Sequence, residues 1–134
     1  MMCTSCVSAT AVEQAFARAA SLCDVLRQEQ SYAGQRVEVR GVLYADPDER
    51  HLYDPQCKKS AGVRGGSRWG RRGRAADAAL GPGWRIGLPV VVSGIVRPET
   101  GYQDGRRIIH IGGSALEDAF IVAARRTSIT LPEN

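Results

Sequence analysis

The sequence predicts an all-β domain with peripheral helices, in which long strands curve into a small closed barrel. Residues 32–44 alternate between apolar and polar side chains after a turn at residues 33–35, as is typical of a strand with one face on a core. Gly41 interrupts the apolar side of this strand, and a sharply bent strand needs a residue without a side chain there. Residues 90–97 repeat the same pattern around Gly94. The repeat predicts that both strands belong to one coiled sheet.

The length and composition are those of a single globular domain. The chain has 134 residues, 43% of them hydrophobic, and no apolar run approaches the ~20 residues that a transmembrane helix needs. Its start lacks the features of a signal peptide, because Glu13, Gln14 and Arg18 interrupt a mostly alanine stretch and no basic region precedes it. A cytoplasmic location is therefore expected, or export if the natural protein has a leader ahead of this sequence.

The positive charge of the chain is concentrated in one segment. The net charge is +4, and seven of the 18 Lys and Arg residues lie within residues 58–74, which contain no acid. Elsewhere the acidic residues outnumber the basic ones. The basic character is therefore local and predicts one surface that attracts anions.

Residues 1–10 are expected to be a flexible N-terminus that carries two cysteines. Cys3 and Cys6 have the spacing of half a zinc site or of a redox pair. A structural zinc site takes four ligands, and the sequence offers no second pair of this kind. We therefore expect no metal and no cofactor.

Residues 11–30 are predicted to be helical and to pack on the barrel. Ser21, with Asp24 three residues later, also has the pattern of a helix start, so the segment is either one helix or two with Ser21 capping the second. The apolar side chains recur at spacings of four and three and form one stripe, namely Val12, Phe16, Ala19, Cys23 and Leu26. Packing on the sheet is the simpler role for this stripe, and binding of a partner is the alternative.

Residues 31–114 are predicted to form the barrel, and residues 115–134 a C-terminal helix or tail. Within residues 58–74 the sequence fits either a flexible basic loop or a third strand followed by one. The other elements expected after the first long strand are a short strand at residues 51–54, a helical turn at 75–80, the second long strand at 84–97, a hairpin loop at 99–105, a strand at 107–111 and a helix at 115–124.

Two cysteines flank the first two predicted strands. Cys23 precedes the first strand and Cys57 follows the second, so the fold brings them within reach of each other. In an oxidising compartment such a pair forms a disulfide, and in the cytosol it stays as two buried thiols. The sequence leaves both states open.

The order of these elements resembles the OB-fold, a five-stranded Greek-key barrel with a helix between its third and fourth strands. The resemblance covers roughly residues 21–113 and implies the fold more than an activity. Four motifs resemble those of small uncharacterised bacterial OB-fold proteins, distantly similar to anticodon-binding-type OB modules: S-L-C-D-V-L at residues 21–26, Y-x-G-x-x-V-x-V-x-G at 32–41, L-Y-D-P-Q-C at 52–57 and V-V-V-S-G at 90–94. Many such relatives carry an export signal, which this sequence does not show.

A non-enzymatic binding function is expected. The sequence contains no phosphate-binding loop, nucleophile elbow, metalloprotease helix or dinucleotide fingerprint. The strongest functional signal is the basic segment, because guanidinium groups pair with phosphates and an indole ring stacks on bases. The candidate contact set for single-stranded DNA or RNA is Arg64, Arg68, Trp69, Arg71, Arg72 and Arg74. Tyr44 and Tyr53 add stacking surface if they face outward from the first two strands, where OB-folds bind oligonucleotides.

Acidic loops argue against that site and keep two alternatives open. Residues 45–50 and the hairpin loop with Glu99 and Asp104 carry carboxylates at the two loops that flank an OB cleft. They repel phosphate, so the basic segment has to reach over the barrel or bind on another side. The alternatives are a solvated loop without a ligand and a protein-interaction or assembly module. Such a module binds a partner protein or a second copy of the chain through a barrel edge or the N-terminal helix.

Overall fold

The structure, a computed structural model, describes residues 19–81, 86–125 and 128–131. Its helices are α1 (Leu22–Arg27), α2 (Glu29–Tyr32) and α3 (Gly70–Leu80). Its strands are β1 (Ala20–Ser21), β2 (Arg36–Ala45), β3 (Arg50–Asp54), β4 (Lys59–Gly65), β5 (Ile86–Arg97), β6 (Thr100–Asp104), β7 (Arg107–Gly112), β8 (Ala115–Ala124) and β9 (Ile129–Thr130). The chain is mostly β with helices at its periphery, which confirms the predicted fold class at that level.

The main sheet closes on itself. Its strands pair in the order β1-β2-β3-β4-β8-β5-β9, and β2 also pairs with β5, so that β2, β3, β4, β8 and β5 form a ring. Neighbours in the ring are antiparallel except β4 and β8, which run parallel. Strands β6 and β7 form a separate antiparallel hairpin between β5 and β8 in the sequence.

Strand β2 closes the ring because it pairs along both of its edges. Residues 36–43 pair with β5, and residues 42–45 pair with β3. A strand that changes partners along its length has to bend, and Gly41 lies just before the change. A Cβ atom at Gly41 would lie 2.8 Å from Cγ of Leu52 and 3.0 Å from the carbonyl oxygen of Tyr53. The glycine therefore allows β2 and β3 to approach each other.

The core lies inside the ring and is closed by two helices. Helix α1 contributes Leu22 and Val25, and helix α3 contributes Ala76 and Leu80, all of them buried. The strands contribute buried aliphatic side chains, among them Val39, Leu43, Leu52, Val63, Leu88, Val90, Val92, Leu116 and Ile121. The helices are thereby fixed to the sheet by apolar burial, which is the main favourable term in folding.

Residues 115–124 form strand β8 and not the predicted helix. The structure has Asp118 at a φ of 47°, and the pairing of β8 with β5 shifts register between Ser93 and Ile95. This irregularity breaks the alternation of the strand, so that buried Leu116 and Ala119 are three positions apart. A spacing of three between buried residues is typical of a helix, but here the extra residue of a β-bulge produces it.

The basic segment is ordered into β4 and α3, so the flexible-loop alternative is wrong for most of residues 58–74. At the N-terminal side, β1 precedes the first described helix, and Ser21 caps α1 because its Oγ accepts a hydrogen bond from the amide of Asp24 at 3.1 Å. Residues 11–18 of the predicted helix, Cys3 and Cys6, and the predicted start of the second long strand at Trp84 lie outside the described residues.

Within the described residues, no helix is both long enough and apolar enough to cross a membrane.

Substitution of Gly41 by Ala tests the close approach of β2 and β3. The new methyl group collides with Leu52 and with the backbone of Tyr53, and overpacking of this kind costs about 1–3 kcal/mol. We expect Gly41→Ala to lower the free energy of unfolding by that amount in a urea titration. Gly113→Ala is the matched control, because nothing lies within 4 Å of its added Cβ atom, and it should change stability by less than about 0.5 kcal/mol. Equal effects of the two substitutions would contradict this account of the bend.

Candidate nucleic-acid interface

The predicted contact residues of the basic segment lie at three places. Arg64 is near the end of β4, Arg68 follows in the turn to α3, and Trp69 directly precedes that helix. The others, Arg71, Arg72 and Arg74, lie in its first turns and are exposed. The segment is therefore spread along the side of the barrel instead of forming one loop.

Trp69 belongs to the core and offers no free ring face. It is 8% exposed, and its Nε1 donates a hydrogen bond to Oδ2 of Asp77 at 3.1 Å. The guanidinium carbon of Arg50 lies 4.4 Å from the ring centroid on one side. Gly73 packs so closely on the ring that a Cβ atom there would clash with it. We therefore exclude Trp69 from the candidate interface.

Asp77 holds this arrangement together. Its two carboxylate oxygens accept hydrogen bonds from Nε and Nη2 of Arg50 at 2.7 and 2.9 Å, a bidentate pair. Burial alone would raise the pKa of Asp77, but the hydrogen bonds from Arg50 and Trp69 outweigh it and lower the pKa below its ordinary value. The ionised carboxylate thus fixes Trp69 beneath Arg50 and joins α3 to β3.

The outer side of β8 collects arginines from four other parts of the chain. Glu117 is shared by Nη1 of Arg64 at 3.4 Å and Nη1 of Arg97 at 2.9 Å. Asp118 is shared by Nη2 of Arg36 at 2.6 Å and Nη2 of Arg68 at 3.7 Å. We define the β8 arginine face by these residues together with two others, so that it comprises Arg36, Arg64, Arg68, Arg72, Arg97, Glu117, Asp118 and Phe120.

Phe120 and Arg72 complete the β8 arginine face. The guanidinium carbons of Arg36 and Arg68 lie 5.3 and 4.3 Å from the centroid of the Phe120 ring. These are distances at which a cation is attracted by an aromatic face. Arg72 donates from Nη1 to the carbonyl oxygen of Val122 at 2.6 Å, which ties α3 to β8.

Positive charge exceeds negative charge on this face. Among the residues that define the face, five guanidinium groups meet two carboxylates, and each carboxylate neutralises one of the two arginines that it binds. The side chains of Arg64 and Arg68 are 56% and 58% exposed, so solvent and ligands reach them. The face is therefore an ordered, accessible and cationic surface.

Tyr44 and Tyr53 lie elsewhere, on the paired strands β2 and β3, and both are half-buried. Tyr44 stacks on His51 with ring centroids 4.9 Å apart, and Nε2 of His51 lies 2.6 Å from Oδ2 of Asp46. Asp46 belongs to the acidic loop between the strands. Tyr44 is thus next to the acidic loop, and no described contact joins Tyr44 or Tyr53 to the β8 arginine face.

Asp46 is held in its ionised form by the turn that it begins. Its carboxylate accepts hydrogen bonds from the amide of Glu49, from His51 and from the amide of Asp48, and together these lower its pKa to about 2. The two hydrogen bonds from backbone amides to the Asp46 carboxylate, both 2.8 Å long, fix the loop next to Tyr44. The loop therefore stays anionic and unsuited to phosphate at any physiological pH.

Cys23 and Cys57 are joined by a disulfide that links α1 to the turn after β3. The bond closes a sequence separation of 34 residues. The buried carboxylate of Asp54 lies beside it and accepts hydrogen bonds from the amides of Cys23 and Gln56 at 3.3 and 3.0 Å.

The sequence prediction missed the residues of the face that come from outside the basic segment. Arg36 and Arg97 are single charges at the ends of the two long strands, and Phe120 fell in the predicted helix. Only the strand pairing brings them to Arg64 and Arg68. The absence of any acid from the basic segment indicates only that carboxylates paired with it lie elsewhere in the chain, and no local signal points to Arg36, Arg97 or Phe120.

Asp46 should contribute to the acid stability of the protein. Because its pKa is lowered from 3.8 to about 2 on folding, the ionised carboxylate stabilises the fold above the unfolded value, and this contribution is lost as the pH falls towards 2. We expect urea titrations at stepped pH to show a smaller loss of stability between pH 4 and pH 2 for Asp46→Asn than for the unsubstituted protein. Asp48→Asn, which removes the same charge from the same loop, should keep the full loss. Identical pH profiles for Asp46→Asn and the unsubstituted protein would contradict the assignment.

A scan against protein-family models gave no match for this chain, and searches of curated proteins and of solved structures gave none either.

Proposed function

We propose that this protein is a non-enzymatic OB-fold module that binds single-stranded nucleic acid through the β8 arginine face. The observation that carries the proposal is the sharing of each of two carboxylates, Glu117 and Asp118, by two arginines. This arrangement holds the guanidinium groups of four arginines against strand β8. It also leaves an excess of positive charge that can bind a further anion.

The strand order supports the OB-fold assignment. The ring runs β2-β3-β4-β8-β5, its one parallel pair is β4 with β8, and α3 lies between its third and fourth strands in sequence. This is the arrangement expected of a five-stranded Greek-key barrel with a helix at that position. OB-folds use their surface to bind oligonucleotides and oligosaccharides, so the assignment is compatible with a nucleic-acid ligand.

The chemistry of the face favours phosphate. A guanidinium group presents a planar fork of donors that matches a phosphate as well as a carboxylate. Glu117 and Asp118 already occupy part of each fork, and a phosphate oxygen is the ligand of the same charge and geometry that replaces or joins them. An array of phosphates fits better than one small anion, because the arginines come from β2, β4, β5, α3 and the turn before α3.

A flexible single strand fits this face better than a duplex. Bases that are not paired stack on aromatic rings and on guanidinium planes. Arg36 and Arg68 already lie over Phe120, which offers a stack of flat groups that a base extends. The proposed site therefore differs from the predicted one: it keeps Arg64, Arg68 and Arg72, loses Trp69, and lies away from Tyr44 and Tyr53.

The acidic loop between β2 and β3 is unfavourable for phosphate, because the hydrogen bonds to Asp46 lower the pKa of its carboxyl and keep the loop anionic. A polyanion is therefore repelled by that loop and attracted by the arginines of the β8 face.

The first test compares two double substitutions that remove equal charge from the same segment. Arg64→Ser/Arg68→Ser removes two members of the β8 arginine face, and Arg71→Ser/Arg74→Ser removes two exposed helix residues outside it. Binding of a fluorescent oligothymidine is measured by anisotropy at stepped salt concentrations. We expect the first variant to weaken binding at least about tenfold at low salt, and the second less than about threefold. The slope of log affinity against log salt should fall in magnitude by about 1.4 for the first variant, at ~0.7 per lost phosphate contact.

Two outcomes of that titration would overturn the proposal. Absence of binding to the oligonucleotide at low salt removes a nucleic-acid function altogether. Equal losses of affinity and slope in the two double variants mean diffuse electrostatic attraction and not a defined face.

A gain of affinity provides a second, independent test. Glu117→Gln and Asp118→Asn remove the carboxylates that compete with phosphate for the same guanidinium groups. Asn adopts the left-handed backbone of residue 118 as readily as Asp does, so the strand should keep its shape. We expect each substitution to tighten oligothymidine binding by up to about fivefold, which corresponds to the roughly 0.2–1 kcal/mol of one exposed ion pair. Weaker binding in both variants would show that the carboxylates support the ligand site instead of competing for it.

An assembly module is the second candidate, and one surface feature favours it. A groove of about 480 Å³ lies between α3 and the end of β8, with a mostly apolar floor that includes Ala75, Ala79 and Ile121. An apolar groove of this kind is typical of a surface that receives another chain. A protein that ignores the oligonucleotide but forms a discrete dimer by light scattering would favour this function.

A further inference from the structure

The disulfide lies in a cluster of three side chains with metal-binding atoms. The sulfur atoms of Cys23 and Cys57 and a carboxylate oxygen of Asp54 all lie within 4.8 Å of one another. Cys23 and Cys57 are half-buried, so small solutes reach them, whereas Asp54 is 7% exposed. The three residues come from α1, from the end of β3 and from the turn that follows it. The fold therefore holds two soft ligands and one hard ligand at one point.

Asp54 is a buried carboxylate without a counter-charge among the described residues. It accepts hydrogen bonds from two neutral backbone amides, of Cys23 and Gln56, and no described Lys, Arg or His forms an ion pair with it. Buried carboxylates are ordinarily paired with a cation or coordinate a metal. This carboxylate faces the disulfide, which carries no charge to balance it.

We propose that the reduced protein binds a thiophilic divalent cation, Zn²⁺, through Cys23, Cys57 and Asp54. A dithiol reductant supplies two electrons and two protons, which convert the disulfide into two thiols while the dithiol becomes a disulfide. Binding of Zn²⁺ then displaces both protons from the thiols, so the ion is held by two thiolates and one carboxylate. The oxidised protein has no thiolate to offer and does not bind the ion.

The spacing of the ligand atoms fits this ion once the sulfur–sulfur bond is broken. Zinc binds thiolate sulfur at about 2.3 Å and carboxylate oxygen at about 2.0–2.2 Å in a tetrahedral arrangement, which places neighbouring ligand atoms ~3.5–3.8 Å apart. The three atoms already lie inside a 4.8 Å limit, so rotation of the two cysteine side chains away from each other is sufficient. Three protein ligands leave the fourth position for water or an external ligand, as in zinc sites that keep an open position.

Cobalt(II) provides the probe, because it takes the place of zinc in tetrahedral thiolate sites and absorbs light. The full chain is reduced anaerobically with a phosphine, which is then removed, and it is titrated with CoCl₂. We expect one equivalent to bind with a thiolate-to-cobalt charge-transfer band that ZnCl₂ abolishes, and no band for the oxidised protein. Asp54→Asn should weaken cobalt binding at least about tenfold, since loss of even an outer-shell partner costs about 10- to 100-fold. Asp24→Asn, at an exposed carboxylate one residue from Cys23, should leave binding unchanged.

Three results of the cobalt titration would overturn the proposal. They are the absence of the band in the reduced protein, equal affinity of Asp54→Asn and the unsubstituted protein, and a band that persists after oxidation. If Asp54→Asn unfolds on reduction, X-ray absorption of the unsubstituted zinc-loaded protein tests the proposal instead. X-ray absorption should then find two sulfur neighbours at about 2.3 Å, with oxygen neighbours at about 2.0–2.2 Å. A shell with three or more sulfur atoms would mean that the ion binds at other cysteines and would rule out this site.

Discussion

The pairing of β2 with β5 is the constraint on which the rest of the structure depends. Without it the five ring strands form an open ribbon with β2 at one end and β5 at the other; with it, they enclose one core. Closure also removes the free edges that make open sheets prone to aggregate. Each other feature follows from this ring, because the helices and the loops have only its two ends and its outer surface to pack on.

Closure also determines where the charges meet. Strand β8 lies between β4 and β5, so side chains on its outer surface are next to residues of both strands, and Arg36 reaches them from the start of β2. The bulge at Asp118 turns an extra carboxylate outward beside Glu117. A left-handed backbone conformation is unfavourable for any residue other than glycine, and the free-energy cost is smallest for Asp and Asn. Such conformations are found where the fold has to place a side chain in a particular direction. Here the carboxylate of Asp118 is the group so placed, and it holds Arg36 and Arg68 over Phe120.

The local features of the fold were predictable, and the site was only partly so. Alternation and central glycines identify β2 and β5, and Ser21 with Asp24 identifies the start of α1, because these signals reside in neighbouring residues. The sequence of strand β8 resembles that of a helix, because its bulge changes a period of two into a spacing of three. The burial of Trp69 is not predictable from the sequence, because it depends on Arg50, Gly73 and Asp77, which come together only in three dimensions. The basic segment was found, but its partners Arg36 and Arg97 were not, since no local pattern connects residues that distant in the chain.

The arginines of the β8 face stabilise the bulge at Asp118, and the proposed phosphate site requires that some of them can be released from it. An exposed ion pair contributes about 0.2–1 kcal/mol, and both pairs at Arg64 and Arg68 are long and more than half exposed on the arginine side. A hydrogen bond to a charged group contributes about 1.5–3 kcal/mol where water is displaced. Replacement of a weak internal ion pair by a contact with phosphate therefore costs little folding free energy. The ligand in turn binds side chains that are already ordered. By contrast, Arg50 is bound bidentately to Asp77 above a buried ring, and its release would expose the core. The same residue type thus has a structural role at Arg50 and is available for binding at Arg64 and Arg68, because the two environments differ in burial.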